Sequence, residues 1–192
     1  MFRFCSLLSV CVFLATVCFA APKIEMEYTK HGPVYYPLDD QGSHPGVVVF
    51  HGSEGGGRAY HQLDAQWLAM HGYAALAYCY YQCLNGFQSI ADPSVEFIDV
   101  PIDKPYEAFK WFKLSKYTDD GKTALFGTSK GAELTFLIAA ITSQEDIEGP
   151  EAIAAHAVTD AAEVGFSWNW SSKKCWSVSE WNSACGLPPP SR

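Results

Sequence analysis

The segment Gly127-Thr128-Ser129-Lys130-Gly131 lies between an apolar run typical of a buried strand and a longer run with helical spacing. A serine on such a tight strand-to-helix turn is held out from the sheet, where it can react. The turn needs glycine-sized residues two positions before and after the serine, because a Cβ there would collide with the adjoining backbone. Gly127 and Gly131 meet this requirement. The pattern therefore predicts that Ser129 is a nucleophile.

A serine nucleophile also needs hydrogen-bond donors for the negative oxygen that forms during acyl transfer. The backbone N–H of Lys130, directly after the serine, is one expected donor. The second is expected from Gly52 and Ser53, at the start of a glycine-rich loop that follows the β-branched run at residues 46–50. Parallel neighbouring strands about 4.8 Å apart would bring both loops to one rim of the sheet. His51 is expected to position this loop by hydrogen bonding.

Two other interpretations of the glycine-rich loop are a flexible surface loop and a phosphate cradle at a helix N-terminus. A nucleotide-binding loop would carry a lysine followed by serine or threonine after its glycines, and this chain has no such pair there.

The groups that would complete a catalytic triad are less evident. His156 is the only histidine after Ser129, and its place inside the apolar run 152–158 predicts a core or rim histidine. Asp160, just past that run, is the better candidate for the triad acid, although a helix N-cap is an equal alternative. Glu133 is expected to serve packing or capping. The sequence leaves the general base unassigned.

Strand-like runs alternate along the chain with segments of helical spacing. Two short strands around the turn at 31–33 predict an antiparallel pair at a sheet edge. Further strands are predicted at 46–50, 73–78, 122–126 and 152–158, and helices at 58–70, 101–114 and 132–143. Residues 82–97 have no clear period and predict an irregular surface excursion. The alternation predicts a mainly parallel sheet with helices on both faces.

The first twenty residues have the pattern of a secretory signal peptide. Arg3 precedes an apolar run at 7–19, which is followed by Ala20 and Ala21. The run is short for a membrane span, so we expect cleavage and a secreted or periplasmic protein without stable membrane insertion. A single domain is expected over residues 21–192, ending in an irregular tryptophan-rich tail from about residue 165.

The charge and the cysteines limit the partners further. Loss of one arginine with the signal would change the formal net charge from −8 to −9, which argues against a nucleic-acid partner. Four cysteines would remain, and they lack the paired spacing of a zinc site: Cys79, Cys83, Cys175 and Cys185. We therefore expect local disulfides or buried thiols, and neither metal nor cofactor.

Two segments together resemble an α/β-hydrolase group. They are His-Pro-Gly-Val-Val-Val-Phe-His-Gly-Ser-Glu-Gly-Gly at 44–56 and Gly-Thr-Ser-Lys-Gly-Ala-Glu-Leu at 127–134. The chain is similar there to the C-terminal domain of acyl-CoA thioesterases and bile acid-CoA:amino acid N-acyltransferases, a group close to dienelactone hydrolases. The resemblance covers roughly residues 44–160. It implies an α/β-hydrolase fold, Ser129 as the acyl-accepting nucleophile, and an oxyanion hole from Lys130 N–H and the loop at Gly52 and Ser53.

Members of that group continue beyond the strand at 152–158 with further strands that bring the triad acid and histidine. The resemblance thus implies a partial, C-terminally truncated domain. One hypothesis is a secreted serine hydrolase that acts on small acyl esters, thioesters or related compounds through Ser129. The other is a catalytically inactive fragment or binding protein without the triad histidine. The sequence does not separate an esterase from a peptidase of the same fold, and it does not predict the oligomeric state.

Overall fold

The computed structural model describes residues 22–38, 42–83, 97, 100–144, 148–156 and 168–169. The strands of this part are β1 (Ile24–Thr29), β2 (Gly32–Pro37), β3 (His44–Phe50), β4 (Ala74–Tyr78), β5 (Val100–Pro101), β6 (Thr118–Thr128), β7 (Ile153–His156) and β8 (Trp168–Asn169). The helices are α1 (Tyr60–Met70), α2 (Asp103–Lys113) and α3 (Lys130–Gln144), and a 3₁₀ turn at Gly56–Arg58 precedes α1.

Six strands form one mixed sheet in the order β1-β2-β4-β3-β6-β7, and β5 pairs with β8 separately. The β1–β2 pair is antiparallel and lies at the sheet edge, as predicted, and β2 also runs antiparallel to β4. Strands β4, β3, β6 and β7 are parallel, with Phe50 opposite Gly127 and Thr128 opposite His156. The carboxyl ends of these four strands therefore meet at one rim, which is where ligands bind in open α/β sheets.

Strand β3 separates two apolar layers because its successive side chains point to opposite faces of the sheet. Val48 and Phe50 belong to the larger core, which includes Phe109 of α2 and Ile138 of α3. Val47 packs in the smaller core on the other face, with alanines of α1 and β4. The predicted arrangement of a sheet with helices on both faces is confirmed.

Helix α1 lies where the sequence predicted it, but most of its large apolar residues face outward. Its buried residues are His61, Ala65 and Ala69, which face the sheet. Leu63 and Trp67 are 58% and 56% exposed. Ala65 and Ala69 belong to the same buried cluster as Ala75 and Ala77 of β4, and Leu68 packs against this cluster. The apolar spacing located the helix, but it did not mark the buried face.

Strand β6 begins earlier than the predicted run at 122–126. His44 of β3 pairs with Thr118, and Gly46 pairs with Thr123, so extra residues of β6 form a bulge between these pairs. Gly121 adopts φ +71° within the bulge. The turn signal at residues 119–121 therefore produces an irregularity inside the strand and not a break before it.

Several predictions concern residues outside the described ranges: the signal peptide, most of the 82–97 excursion, Asp160 and the tail beyond residue 169. Cys79 and Cys83 form a disulfide, which confirms one predicted local bridge, whereas Cys175 and Cys185 lie outside the description. None of the described helices is long and apolar enough to span a membrane.

Candidate active site

Ser129 is the single residue between β6 and α3, and both elements hold its backbone. Its N–H donates to the carbonyl of His156 in β7 at 2.9 Å. Its own carbonyl accepts the N–H groups of Ala132 at 2.9 Å and Glu133 at 3.3 Å in the first turn of α3. The serine adopts φ +53°, a left-handed conformation that residues with a Cβ rarely adopt. The predicted sharp turn is therefore present.

The two glycines of the motif are required by close backbone approach. A Cβ on Gly127 would overlap the carbonyl group of Gly131. A Cβ on Gly131 would come within 2.6 Å of the Phe50 carbonyl oxygen and would overlap the carbonyl oxygen of His51. Backbone atoms cannot yield as a flexible side chain can, so the steric reason inferred from the sequence is confirmed.

The backbone strain at Ser129 should be measurable as a difference in the free energy of unfolding between two Ser129 variants. A left-handed conformation costs a residue with a Cβ about 1–2 kcal/mol, and glycine avoids most of this cost. We expect Ser129→Gly to unfold with a free energy about 1 kcal/mol higher than that of Ser129→Ala in urea titrations. Equal midpoints with equal slopes for the two variants would contradict a strained serine.

The glycine-rich loop passes directly beside the serine. A Cβ built on Gly52 would come within 3.2 Å of the Ser129 Cβ, so the predicted meeting of the two loops is confirmed. Ser53, the other predicted loop residue, is exposed. The Gly52 N–H donates to Glu54 Oε1 at 3.0 Å, so in this structure the Glu54 carboxylate occupies one of the predicted oxyanion donors.

The second predicted donor is the N–H of Lys130. Lys130 is the first residue of α3, so no carbonyl lies one helical turn earlier to accept its N–H. The helix dipole also favours negative charge at this end. These two features suit the N–H to bind a negatively charged oxygen beside Ser129.

His51 holds the glycine-rich loop in place. Its Nδ1 lies 2.7 Å from the Gly52 carbonyl oxygen, and its Nε2 accepts the N–H of Tyr80 at 3.4 Å. The two rings stack with centroids 4.2 Å apart, and the Tyr80 hydroxyl donates to the His51 carbonyl at 2.6 Å. Both ring nitrogens are thus engaged, as expected of a positioning histidine. Tyr80 itself was not anticipated, since no local pattern marks it.

His61 of α1 is buried against His51, with ring centroids 5.1 Å apart. Burial lowers the pKa of His51 to about 4, although the Gly52 carbonyl and the charge of Glu54 oppose this shift. Burial and then the neighbouring His51 lower the pKa of His61 to about 3. Both imidazoles are therefore neutral near pH 7.

The two buried histidines predict loss of stability in acid. Their pKa values in the folded protein, about 4 and about 3, lie below the unfolded value of 6.5, so the unfolded chain binds more protons as the pH falls below 6.5. At about 1.4 kcal/mol per pKa unit, His51 alone makes folding about 3 kcal/mol less favourable by pH 4. Urea titrations from pH 7 to 4 should show this decline.

The His61→Leu variant provides the matched control for the acid effect. It removes one of the two titrating groups, so its free energy of unfolding should fall clearly less between pH 6.5 and 4 than that of the wild type. Parallel curves for the two proteins would show that the buried histidines do not cause the acid sensitivity.

The side chain of Lys130 does not take part in the site. Its Nζ forms a buried ion pair with both Glu133 carboxylate oxygens, at 3.0 and 3.1 Å. The indole N–H of Trp168 donates to the same carboxylate at 3.1 Å. Glu133, expected to serve packing or capping, thus links the start of α3 to β8 through charge-assisted hydrogen bonds.

A cleft of about 440 Å³ opens beside the end of β6. Its lining combines the apolar side chains of Tyr60 and Leu63 with the carboxylates of Glu54 and Asp64, and it includes Thr128. Burial and the charge of Glu54 raise the pKa of Asp64, while His156 opposes this shift. Sequence patterns gave no signal for Glu54 or Asp64, because a single acid in a loop or on a helix is common. Asp160, the predicted acid, lies outside the described residues.

No protein-family model matches the chain, and the curated proteins contain no significant match. Among solved structures it is similar to a dienelactone hydrolase-like promiscuous phosphotriesterase from metagenomic libraries, with a TM-score of 0.52 and 18% identity. A second similar structure is the protein m3DLH, with a TM-score of 0.51 and 19% identity. These matches cover 79% of this chain and 67% and 68% of the two proteins. The chain has an α/β-hydrolase fold.

An esterase of the fungus Rhizomucor miehei is also similar, with a TM-score of 0.51 and 18% identity over 76% of this chain. This chain spans 48% of that esterase, about half its length. The fold implied by the sequence resemblance is therefore confirmed. The finer resemblance to acyl-CoA thioesterases stays a prediction.

Proposed function

We propose that this protein is a secreted serine hydrolase that cleaves small acyl esters or thioesters through an acyl-enzyme at Ser129. The observation that carries the proposal is the serine on its strained turn at φ +53°, directly beside the Gly52 loop. Strained backbone clusters at functional sites because it fixes a reactive group where relaxed backbone would not place it.

The surroundings of Ser129 support acyl transfer. The Lys130 N–H at the start of α3 can donate a hydrogen bond to the acyl oxygen and stabilise the negative charge that develops on it. The cleft next to Thr128 offers the side chains of Tyr60 and Leu63 to an apolar acyl group and is open to solvent for the leaving group and water. The similarity to an esterase and to a dienelactone hydrolase-like protein agrees with this substrate class.

Secretion is part of the proposal. The N-terminal pattern is that of a signal peptide, and the Cys79–Cys83 disulfide fits an oxidising compartment. Coenzyme A esters are intracellular compounds. An exported enzyme of this kind would therefore act on carboxylic esters, lactones or other activated acyl compounds.

One observation favours a second candidate, a binding protein without catalysis. The Gly52 N–H donates to Glu54 at 3.0 Å, so an acyl oxygen must displace a carboxylate to use it as a donor. If Glu54 does not move, the cleft binds an acyl compound without stabilising its oxyanion.

Substrate specificity separates these functions. The purified protein is incubated with p-nitrophenyl acetate, butyrate and octanoate, with an acyl thioester, and with a peptide p-nitroanilide. We expect turnover of esters or thioesters and none of the anilide. Turnover of the anilide would indicate a peptidase. A folded sample that binds the esters without turnover would support the binding protein.

A further inference from the structure

A disulfide closes the segment that follows β4. Cys79 and Cys83 are bonded to each other and close residues 79–83, the disulfide loop, which begins directly after the last residue of the strand. Strand β4 runs parallel to β3 and β3 runs parallel to β6, so the carboxyl ends of all three lie at one rim. The disulfide loop therefore lies at the same rim of the sheet as Ser129.

The disulfide loop holds both ends of the glycine-rich loop. At the first end, the Tyr80 ring stacks on His51, and the Tyr80 N–H and hydroxyl donate to the His51 ring and carbonyl at 3.4 and 2.6 Å. At the second end, the Tyr81 carbonyl accepts the Gly56 N–H at 3.0 Å. Gly52, whose N–H is a predicted oxyanion donor, lies between these two anchoring points. The disulfide loop therefore fixes the position of that donor.

The bridge itself also contacts the glycine-rich loop. A Cβ on Gly56 would overlap the Sγ of Cys79, so the Gly56 backbone packs directly against this sulfur. Within the disulfide loop, Gln82 adopts φ +45°, a left-handed conformation that residues with a Cβ rarely adopt. Such a backbone persists only where its surroundings constrain it, and the covalent bridge keeps the two ends of the loop together. Opening the bridge removes this constraint.

The short span of the bridge makes its effect mainly local. The two cysteines are only four positions apart in the chain. In the chain-entropy account, the stabilisation that a disulfide gives to the whole fold grows with the number of residues that it encloses. This bridge therefore does more to set the conformation of its own loop, and of the glycine-rich loop that rests on it, than to stabilise the sheet.

A small thiol can reach the bridge. Cys83 is exposed and Cys79 is half-buried. Both cysteines line a cavity of about 640 Å³, which is separate from the cleft beside β6 and large enough for a low-molecular-weight thiol. Lys30 is the only lysine, arginine or acidic residue among the described residues that line this cavity. Its ammonium group favours the approach of a negatively charged thiolate, which is the reactive form of a thiol.

We propose that the Cys79–Cys83 bridge is a thiol–disulfide exchange site, and that its reduction by a low-molecular-weight thiol releases the glycine-rich loop and lowers hydrolysis at Ser129. The effect on hydrolysis rests on the proposed function. The release of the loop does not, because it follows from the contacts between the two loops.

The exchange takes two steps. A thiolate attacks the exposed Cys83 sulfur, the bond between the two cysteine sulfurs breaks, and Cys79 leaves as a thiolate that takes a proton from water. A second thiolate attacks the outer sulfur of the mixed disulfide on Cys83. Cys83 then leaves as a thiolate, which is also protonated, and the two small thiols depart joined as a disulfide. The bridge is thus reduced by two electrons and the thiols are oxidised by two.

The test treats the folded wild type with dithiothreitol in the absence of denaturant. Iodoacetamide trapping and peptide mass spectrometry should find both Cys79 and Cys83 alkylated. Hydrogen–deuterium exchange of the peptide 51–58 should be at least about 10-fold faster after reduction, whereas the peptide 122–128 of β6 should be unchanged. The alkylated protein, freed of thiol that would itself cleave the ester, should hydrolyse p-nitrophenyl acetate at least about 10-fold more slowly. Reoxidation of an unalkylated sample should restore both properties.

The double variant Cys79→Ser/Cys83→Ser is the matched control. Without any thiol it should show the fast exchange at 51–58 and the slow hydrolysis of the reduced wild type, and added dithiothreitol should change neither. A thiol response that persists in this variant would assign the effect to other cysteines. Urea titrations verify that the variant is folded, and the reduced wild type supplies the same readouts if it is not.

Two results would overturn the proposal, and a third concerns the proposed function alone. A bridge that dithiothreitol reduces only after urea is added would not be an exchange site of the folded protein. A reduced bridge with unchanged exchange at 51–58 and unchanged hydrolysis would show that the two loops are not coupled. If exchange at 51–58 rises on reduction but neither form shows hydrolysis that requires Ser129, the proposed function fails while the release of the loop is supported.

Discussion

Replacement of Ser129 by alanine is expected to lower kcat/KM for p-nitrophenyl acetate by about 10³-fold or more. The substitution removes only Oγ, so no covalent acyl intermediate can form. Alanine keeps the same backbone conformation at φ +53°, and the hydrogen bonds of the turn involve backbone atoms that alanine retains. The loss should therefore appear in rate and not in folding.

The matched control is Ser143→Ala, a serine in the last turn of the same helix α3 that is exposed to solvent. It should hydrolyse the ester at the wild-type rate. If Ser129→Ala and Ser143→Ala both retained full activity, hydrolysis would not pass through Ser129, and the acyl-enzyme proposal would be wrong.

Replacement of Glu133 by leucine should give the largest loss of stability among the substitutions considered. It leaves the Lys130 ammonium and the Trp168 indole N–H buried without their carboxylate partner. Breaking one side of a buried ion pair costs about 3–5 kcal/mol, a large fraction of the 5–15 kcal/mol of a typical domain. Urea titration of the purified variant measures the change in the free energy of unfolding.

Two controls test whether the loss of stability comes from burial of the unpaired charge and not simply from loss of an ion pair. Glu27→Gln breaks the exposed pair between Glu27 and Lys116, 2.8 Å apart, and should cost far less stability than Glu133→Leu because solvent screens this pair. The double variant Lys130→Met/Glu133→Leu removes both charges and should recover most of the loss. A single Glu133→Leu variant as stable as Glu27→Gln would contradict the buried ion pair.

The sequence predicted the parts of this fold that depend on neighbours along the chain. The β-branched run of β3 indicated a strand covered on both faces, and this is correct because both sides of the sheet carry helices. The Ser129 turn was also predictable, since the two flanking glycines have a local steric reason. Parallel strand order then placed the Gly52 loop beside the serine.

The surroundings of the serine could not be predicted in the same way, because they depend on contacts between distant residues. Tyr80 stacks on His51 across 29 positions in the chain, and no periodicity marks such a pair. Asp64 reaches the cleft only because α1 places its alanines against the sheet. His156 was predicted to lie in the core or at the rim, and the structure places it exposed at the end of β7, a choice that the apolar run alone could not make.

The most direct test of the central claim is to treat the purified protein with a fluorophosphonate and locate the adduct by peptide mass spectrometry. A nucleophilic serine displaces fluoride and retains the phosphonate. We predict one phosphonate on the peptide that contains Ser129, absent from Ser129→Ala and present in Ser143→Ala. A folded protein that stays unlabelled, or that carries the same adduct in Ser129→Ala, would contradict a nucleophilic role for Ser129.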